Sequence, residues 1–501
     1  MGFTLAGLLI GLIIGVLPGL GPLMGIILLL PVATSFPLIP ALGLLIAVFV
    51  GGSCAGSISA ILLRIPGTPL AAATLLDGYP MARNGRAGDA IGLAISASAI
   101  GGLLGGVVLI VLSPALAEFA ANFAPPEFAA LAVTGLLAIA LVSEGSLLKG
   151  LIAGAFGLLL ATIGTDSFST GFRFTFGSAN MLDGFHIVAV VVGLFAVSEM
   201  AFQVMARKLT KAPEVTVVFP GFRNVTRVFR HWKNLLSSSA IGAFFGALPG
   251  AGGVISSFAA YAVAKTHDKD RDQYGKGAAG GVIAPESANN ATVGGTLVPT
   301  LALGIPGDAA SAMLLGAILI LGYIPGPILF ELQPEIVGGI FLVYMASNIF
   351  LLFVGILATP LFVYVLRTPK SVLIPVVLVL CCLGTYSVQA SVFDLFVMFG
   401  FGLVGILFRL YGYPLSPVVI GLILGPLLES NLRRSLLISQ DGYWIFLERP
   451  VSATLIAANV LIVGGYLWKA RRDRRRAGRP VPDGAGRPSE TSLPSQDRKA
   501  S

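Results

Sequence analysis

Two short stretches hold the residues from which a chemical reading starts. Gly246-Ala247-Leu248-Pro249-Gly250-Ala251-Gly252-Gly253 lies inside an apolar run. Gly15-Val16-Leu17-Pro18-Gly19-Leu20-Gly21-Pro22 carries the same Gly-x-Leu-Pro-Gly-x-Gly core 231 residues earlier. A second pair follows the first: Arg64-Ile65-Pro66-Gly67-Thr68-Pro69 is echoed by Gly304-Ile305-Pro306-Gly307-Asp308, 240 residues on. Proline has no amide hydrogen, and glycine admits backbone angles that a helix does not use. Each motif therefore frees amides and carbonyls from the helical ladder. Freed amides at a helix N-terminus suit an anion; freed carbonyls and hydroxyls suit a sodium ion or a proton.

The candidate ligands are the motif residues and the polar side chains beside them. The first half offers Pro18, Gly19, Gly21, Ser53, Ser57, Pro66, Gly67 and Thr68, with Thr74 and Asp77 close by. The second offers Pro249, Gly250, Gly252, Ser256, Glu286, Asn289, Asn290, Pro306, Gly307 and Asp308. Pro285-Glu286-Ser287-Ala288-Asn289-Asn290 is the densest polar cluster inside an apolar span, and an ionisable residue at membrane depth is a functional candidate by default. Glu286 also fits a salt bridge or a helix cap. Asn289 and Asn290 fit ligands or interhelical hydrogen bonds equally. Asp77 reads as a loop or capping residue. Arg64, a cation beside a break, either pairs with an anionic substrate or snorkels to the interface.

The elements that must position these residues are membrane helices. The 501-residue chain is 55% hydrophobic and only 11% charged, with runs near or above the ~20 residues that cross a bilayer. Ile91–Leu116, Phe185–Met205, Ile336–Leu366 and Val451–Trp468 are examples. The expectation is an all-α polytopic membrane protein, not a β-barrel. No secretory signal peptide is expected. The three cysteines make no disulfide framework or metal spacing. The net charge of +8 gathers in Arg207–Lys233 and the tail from Lys469, which reads as a topology signal rather than nucleic-acid binding.

In chain order, Phe3–Val16 and Leu23–Thr34 are each short for a crossing and predict a re-entrant hairpin. Ala41–Leu63 follows, then the Ile65-Pro66-Gly67 break and a polar cytoplasmic loop at Asp77–Arg86. Ile91–Leu116, Phe128–Val142, Leu147–Ile163 and Phe185–Met205 then cross in turn, with Thr165–Asp183 outside. Leu235–Ala264 predicts a second hairpin and Ala278–Leu303 a second interrupted helix. Gly322–Glu335 falls outside. Ile336–Leu366, Val372–Thr385, Phe393–Leu410, Val418–Leu428 and Val451–Trp468 complete the count, which puts Arg433 and Arg434 outside and the tail inside. The two halves thus read as inverted-topology repeats, each with a re-entrant hairpin and a discontinuous helix. The divisions are 1–206 and 234–468 for the repeats, 207–233 for a basic cytoplasmic linker, and 469–501 for a disordered tail. No catalytic constellation, metal site or ATP-binding P-loop is present in the sequence, and no cofactor is expected.

Gly15–Pro22, Gly51–Arg83 and Ala284–Gly316 resemble the TctA family, the large permease subunit of bacterial tripartite tricarboxylate transporters. The resemblance covers residues 1 to about 470. It implies an inner-membrane carrier working with a small membrane subunit and a periplasmic solute-binding protein. It also implies import of citrate or a related carboxylate by cation-coupled symport, and kinship with the ion-transporter superfamily and its elevator-like movement. Arg64 and Gly280 depart from the family pattern, which carries Asn and Glu there. The alternatives are a stand-alone organic-anion carrier, channel or exporter without a binding protein, and a non-transporting membrane enzyme or scaffold. The motifs leave the substrate acid, the coupling ion (sodium or proton) and homodimerisation open.

Overall fold

The computed structural model describes residues 1–17, 19–142, 146–166, 168–169, 171–205, 219–250, 252–366, 368–439 and 441–477. Pro18, Ala251, the basic residues Arg207, Lys208, Lys211 and Arg367, and the tail beyond Ala477 lie outside the described residues. What is described is helical apart from one two-residue strand pair. Among the described residues, six helices are long and apolar enough to cross a bilayer: Leu38–Leu63, Leu75–Ala121, Ile187–Met205, Pro334–Leu357, Ser371–Gln389 and Val392–Leu410. Gly442–Glu448 and Pro450–Tyr466, bent by 93°, make a seventh if taken as one span. The chain is a multi-pass membrane protein.

The first half opens with α1 (Gly2–Val16) and α2 (Gly21–Ala33), which pack against each other and against α3 (Leu38–Leu63). A short 3-10 helix, Pro69–Ala71, leads to α4 (Leu75–Met81), and α5 (Ala87–Ala121) follows. Next come the paired helices α6 (Pro125–Val142) and α7 (Leu147–Ala161). β1 (Gly164–Thr165) and β2 (Phe172–Arg173) pair antiparallel in the loop that follows. α8 (Ile187–Val191) passes through a π segment, Val192–Val197, into α9 (Ser198–Met205). α10 (Arg223–Arg230) leads to the second half.

There the opening recurs as α11 (Trp232–Ala247), α12 (Gly252–His267) and α13 (Ala279–Leu303). After it come α14 (Ala309–Ile320), α15 (Pro327–Leu332), α16 (Pro334–Leu357), α17 (Thr359–Val365), α18 (Lys370–Gln389), α19 (Val392–Leu410), α20 (Ser416–Ile438), α21 (Ile445–Glu448) and α22 (Pro450–Ala477).

Glycine rows explain why each hairpin sits where it does. α1 runs parallel to α3 with the two backbones touching. A Cβ on Gly11 would stand 2.7 Å from Val48 Cα, and one on Gly15 would stand 2.5 Å from Gly52 O. In the second half a Cβ on Gly242 would stand 2.8 Å from Ala288 Cα, and one on Gly246 would stand 3.0 Å from Gly295 Cα. Gly11 and Gly242 are 231 positions apart, and Val48 and Ala288 are 240. These are the offsets that separate the paired motifs. Small residues let membrane helices approach closely, where lipid supplies no hydrophobic drive to associate. α13 also packs along α5, and α16 packs on both α3 and α5. α3 is thereby almost sheathed in protein, whereas α18 and α19 turn most of their surface outward.

Three expectations need correction. Asp77–Arg86 is not a loop: Leu75–Met81 is helical, and Ala82–Arg86 is a π turn kinked at Asn84 and Gly85. The reason is that Asp77 is fully buried and bonded to protein donors, so it needs no water; Arg83 and Arg86 do remain exposed. Ile336–Leu366 is not one helix. It breaks at Ala358, where Pro360 in the first turn of α17 cannot donate to the preceding helix. Val418–Leu428 continues to Ile438, so Arg433 and Arg434 lie on a helix rather than after it.

Arg433 also shows which loop it faces. Its guanidinium donates to Asp166 at 2.9 Å and pairs with Glu429 at 2.8 Å, while Arg173 pairs with Glu429 at 2.6 Å. The end of α20 and the 164–185 loop are therefore on the same side. The Phe168 amide, the Ser169 hydroxyl and Arg433 hold the Asp166 carboxyl well below the usual carboxylate range. A depressed carboxylate contributes stability that is present above its unfolded value, ~3.9, and is lost as pH falls through the folded value.

Two outcomes follow. Hydrogen exchange of 164–184 should stay slow down to about pH 4 and rise in stronger acid, and Arg433→Ala should raise it already at neutral pH; unchanged exchange in that variant would show that the tie does not hold the loop. Gly246→Ala should lower thermal stability in detergent by about 1–3 kcal/mol through overpacking, while Gly338→Ala, where a Cβ meets nothing within 4 Å, should leave it unchanged.

Candidate binding site

The two hairpin tips are fixed by the same contact. The Gly19 amide donates to the Gly67 carbonyl at 3.2 Å, and the Gly250 amide donates to the Gly307 carbonyl at 2.8 Å. Both donors have positive φ, +90° and +82°, which turns the amide outward from the arm it ends. Such a conformation is costly for any side chain but glycine's. The acceptors sit in the second motif of each half, just past Pro66 and Pro306. The preceding residues match too: Arg64 (φ 59°) and Gly304 (φ 69°) both end their helix in the left-handed conformation. Thr68 and Asp308 then take equivalent N-cap positions, Thr68 before Pro69–Ala71 and Asp308 before α14.

The polar cluster of α13 packs against α3 and α4. Glu286 is fully buried. Its Oε1 accepts from the Thr74 hydroxyl at 2.5 Å, Ser57 of α3 lies beside it, and its Oε2 has no hydrogen-bond partner. One turn further along, Asn289 Nδ2 donates to the Ser53 carbonyl at 2.9 Å, tying the halves together. The Oδ1 of Asn289 and the Oγ of Ser53 are buried without partners. Ser256 joins from the second hairpin, 2.7 Å from the Thr292 hydroxyl. Buried polar atoms are ordinarily satisfied, so this group of unpartnered oxygens on facing helices is a candidate for contact with a small polar guest.

Not every candidate residue meets there. Asn290 faces α16, where its Nδ2 approaches Asn348 Oδ1 at 3.5 Å and its carbonyl accepts from Tyr344. Asp308 is occupied as a cap: its carboxylate accepts from the Ser311 amide at 2.8 Å, and Ser311 bonds back. Gly21 starts α2, where an added Cβ would stand 3.1 Å from the Thr68 methyl, and Thr68 keeps a buried unpartnered hydroxyl. Gly252 starts α12 in open surroundings. Asp77 is a cap, as read, but for the other half of the chain. Its Oδ1 accepts from the amides of Gly275, Gly277 and Ala278 at 2.8–2.9 Å, and its Oδ2 accepts from Tyr261. Arg64 is exposed and stacks over Tyr79, 5.6 Å from the ring centroid.

Sequence reasoning missed Ser96 and Ser98 of α5, both buried, Ser98 beside the Cys54 thiol, and the Tyr344–Asn348 pair. A lone Asn inside the apolar run Ile336–Leu366 was a signal available for the second. Nothing distinguished the serines from packing residues. Among the described residues, no group of three His, Cys, Asp or Glu side chains could hold a metal ion.

Comparison with known proteins places the chain. The family model described as "Tripartite tricarboxylate transporter TctA family" matches residues 1–420. A protein of Agrobacterium vitis, described as an uncharacterized 52.8 kDa protein in the TAR-I ttuC' 3'region, is 35% identical over 460 residues, 90% of this chain and 89% of that protein. A second from the same organism, an uncharacterized protein in the TAR-II ttuC' 3'region, is 34% identical over 234 residues, 47% of this chain and 97% of its own length. No solved structure matches. With its paired Leu-Pro-Gly hairpins and a family match spanning most of its length, the chain belongs to the TctA family of tripartite tricarboxylate transporters.

Proposed function

We propose that this chain is the permease subunit of a tripartite transporter. It imports a carboxylate, citrate or a related acid, across the bacterial inner membrane, coupled to a sodium or proton gradient. A periplasmic binding protein delivers the substrate and a small membrane subunit completes the assembly. One observation supports this most: the same tip-to-break hydrogen bond, Gly19 to Gly67 and Gly250 to Gly307, stands in both halves on either side of a buried polar cluster. Irregular backbone at membrane depth is tolerated only where protein buries it or where it lines a cavity.

The halves are inverted repeats on this reading. α1 and α11 run parallel to α3 and α13 respectively, while Ser57 faces Glu286 and Ser53 faces Asn289. α3 and α13 therefore cross in opposite senses. The two hairpins then enter from opposite sides and their tips reach similar depth. α2 and α12 start at Gly21 and Gly252, so their positive helix ends point toward the tips and favour an anion. Movement of this core against α6–α9 and α18–α20 would give alternating access of the elevator type.

The test is uptake of labelled di- and tricarboxylates into proteoliposomes holding the full assembly, under imposed sodium or proton gradients. Wild-type protein that moves no carboxylate under either gradient would end this reading. Gly250→Ala forces a side chain into positive φ, and its Cβ would meet the Ala138 carbonyl carbon at 2.5 Å. It should cut uptake about tenfold, the equivalent of 1–2 kcal/mol of left-handed strain, while membrane insertion, read by fractionation, stays normal.

A further inference from the structure

We propose that the coupling ion is a proton and that Glu286 carries it, with Thr74 and Ser57 positioning its carboxyl group. The inference rests on the reading of the chain as a coupled carboxylate carrier and names what that reading leaves open. Glu286 projects from α13 into the contact with α3 and α4 and is fully buried. Among the described residues, no Lys, Arg or His forms an ion pair with it. Titratable side chains on the elements around this part of α13 include Cys54 on α3, which lies within charge range of Glu286, Asp77 on α4, Tyr261 on α12 and Tyr344 on α16. None of these four is a cation that could balance a carboxylate.

A bare carboxylate in such a place carries an uncompensated charge, which a protein avoids by protonation or by pairing. The hydrogen bonds say where the proton sits. Thr74 donates to Oε1, so Oε1 acts as the acceptor, and Oε2, with no partner, is left to hold the hydrogen. Ser57, beside the carboxyl group, gives its own hydrogen to the Cys54 carbonyl at 2.7 Å, so toward the protonated acid its oxygen can serve only as an acceptor. The position along the helix suits a coupling group. Glu286 lies within about one helical turn of Asn289, the residue bonded to Ser53 at the crossing of the halves. It therefore lies near the depth of both tips.

The step is a simple transfer. Glu286 takes one proton from the outer side when the site opens there, crosses as the neutral acid, and releases that proton inside as the carboxylate. No other bond changes.

The experiment uses the full assembly in proteoliposomes. With a pH gradient and no sodium, wild-type protein should accumulate carboxylate, about tenfold per pH unit for one proton per substrate, and a pH dye should report protons entering with it. Glu286→Gln mimics the protonated acid. It should lose accumulation driven by the pH gradient, and whatever exchange it retains should be independent of pH; a single sharp elution peak in detergent, like that of the wild type, shows that it folds. The infrared band of a protonated carboxyl in the occluded wild type should vanish in that variant. Accumulation driven by a sodium gradient alone, or by a pH gradient in Glu286→Gln, would overturn the proposal while leaving the carrier reading intact. Absence of any carboxylate movement by the wild type would instead sink the carrier reading.

Discussion

The amide of Gly250 has left its helix and must find an acceptor, because lipid offers none. Several kcal/mol ride on each unpaired backbone group in the hydrocarbon region. The chain answers by placing the Gly307 carbonyl 2.8 Å away, and the rest of the core follows from making that meeting possible. α13 has to end where it does, in a left-handed Gly304. α11 has to lie flush on α13, which its glycine row permits. The first half solves the same problem with Gly19, Gly67 and the Gly11–Gly15 row. A broken helix in a membrane is therefore never a local event; it commits a second broken helix to stand opposite.

Much of this was readable from spacing. The motif offsets of 231 and 240 residues returned as matched hydrogen bonds and matched close contacts, because a backbone that must pair constrains residue type at each position. The hairpin arms, α3, α5, α13 and the outer helices fell near their expected places for the same reason: length and apolar content are direct physical requirements of a bilayer. What could not be read was partnership across the halves. Asp77 looks like a loop residue when only its neighbours are known. Its donors, Gly275, Gly277 and Ala278, are ordinary loop residues far along the chain. Asp308 looks like a ligand until its Ser311 capping box is seen. Nor does sequence distinguish Asn289, which reaches Ser53, from Asn290, which turns to Asn348: adjacent residues on a helix differ by about 100° in direction, and the packing of α16 decides which way each one faces.

Charge is arranged by the same economy of partners. Several carboxylates away from the hairpins have arginines: Asp166 and Glu429 with Arg433 and Arg173, Glu199 with Arg409, Glu127 with Arg449. Among the described residues, three carboxylates beside the hairpins form no such ion pair. Asp77 is satisfied by amides and a phenol, Asp308 by its own helix, and Glu286 by one hydroxyl. Backbone amides can stabilise a fixed anion indefinitely. A single hydroxyl cannot, and that separates Glu286 from the two structural acids.

The Asp77 cap has a further consequence for biogenesis. Its backbone donors lie 198 to 201 residues downstream. During synthesis, α4 is made and threaded into the membrane well before any of them exists. For that interval Asp77 is an acid without its nest, and α3 and α4 lack the helix they are built to meet. The first half alone therefore lacks the donors that satisfy this carboxylate, and the packing of α3 and α4 is complete only once the start of α13 is present.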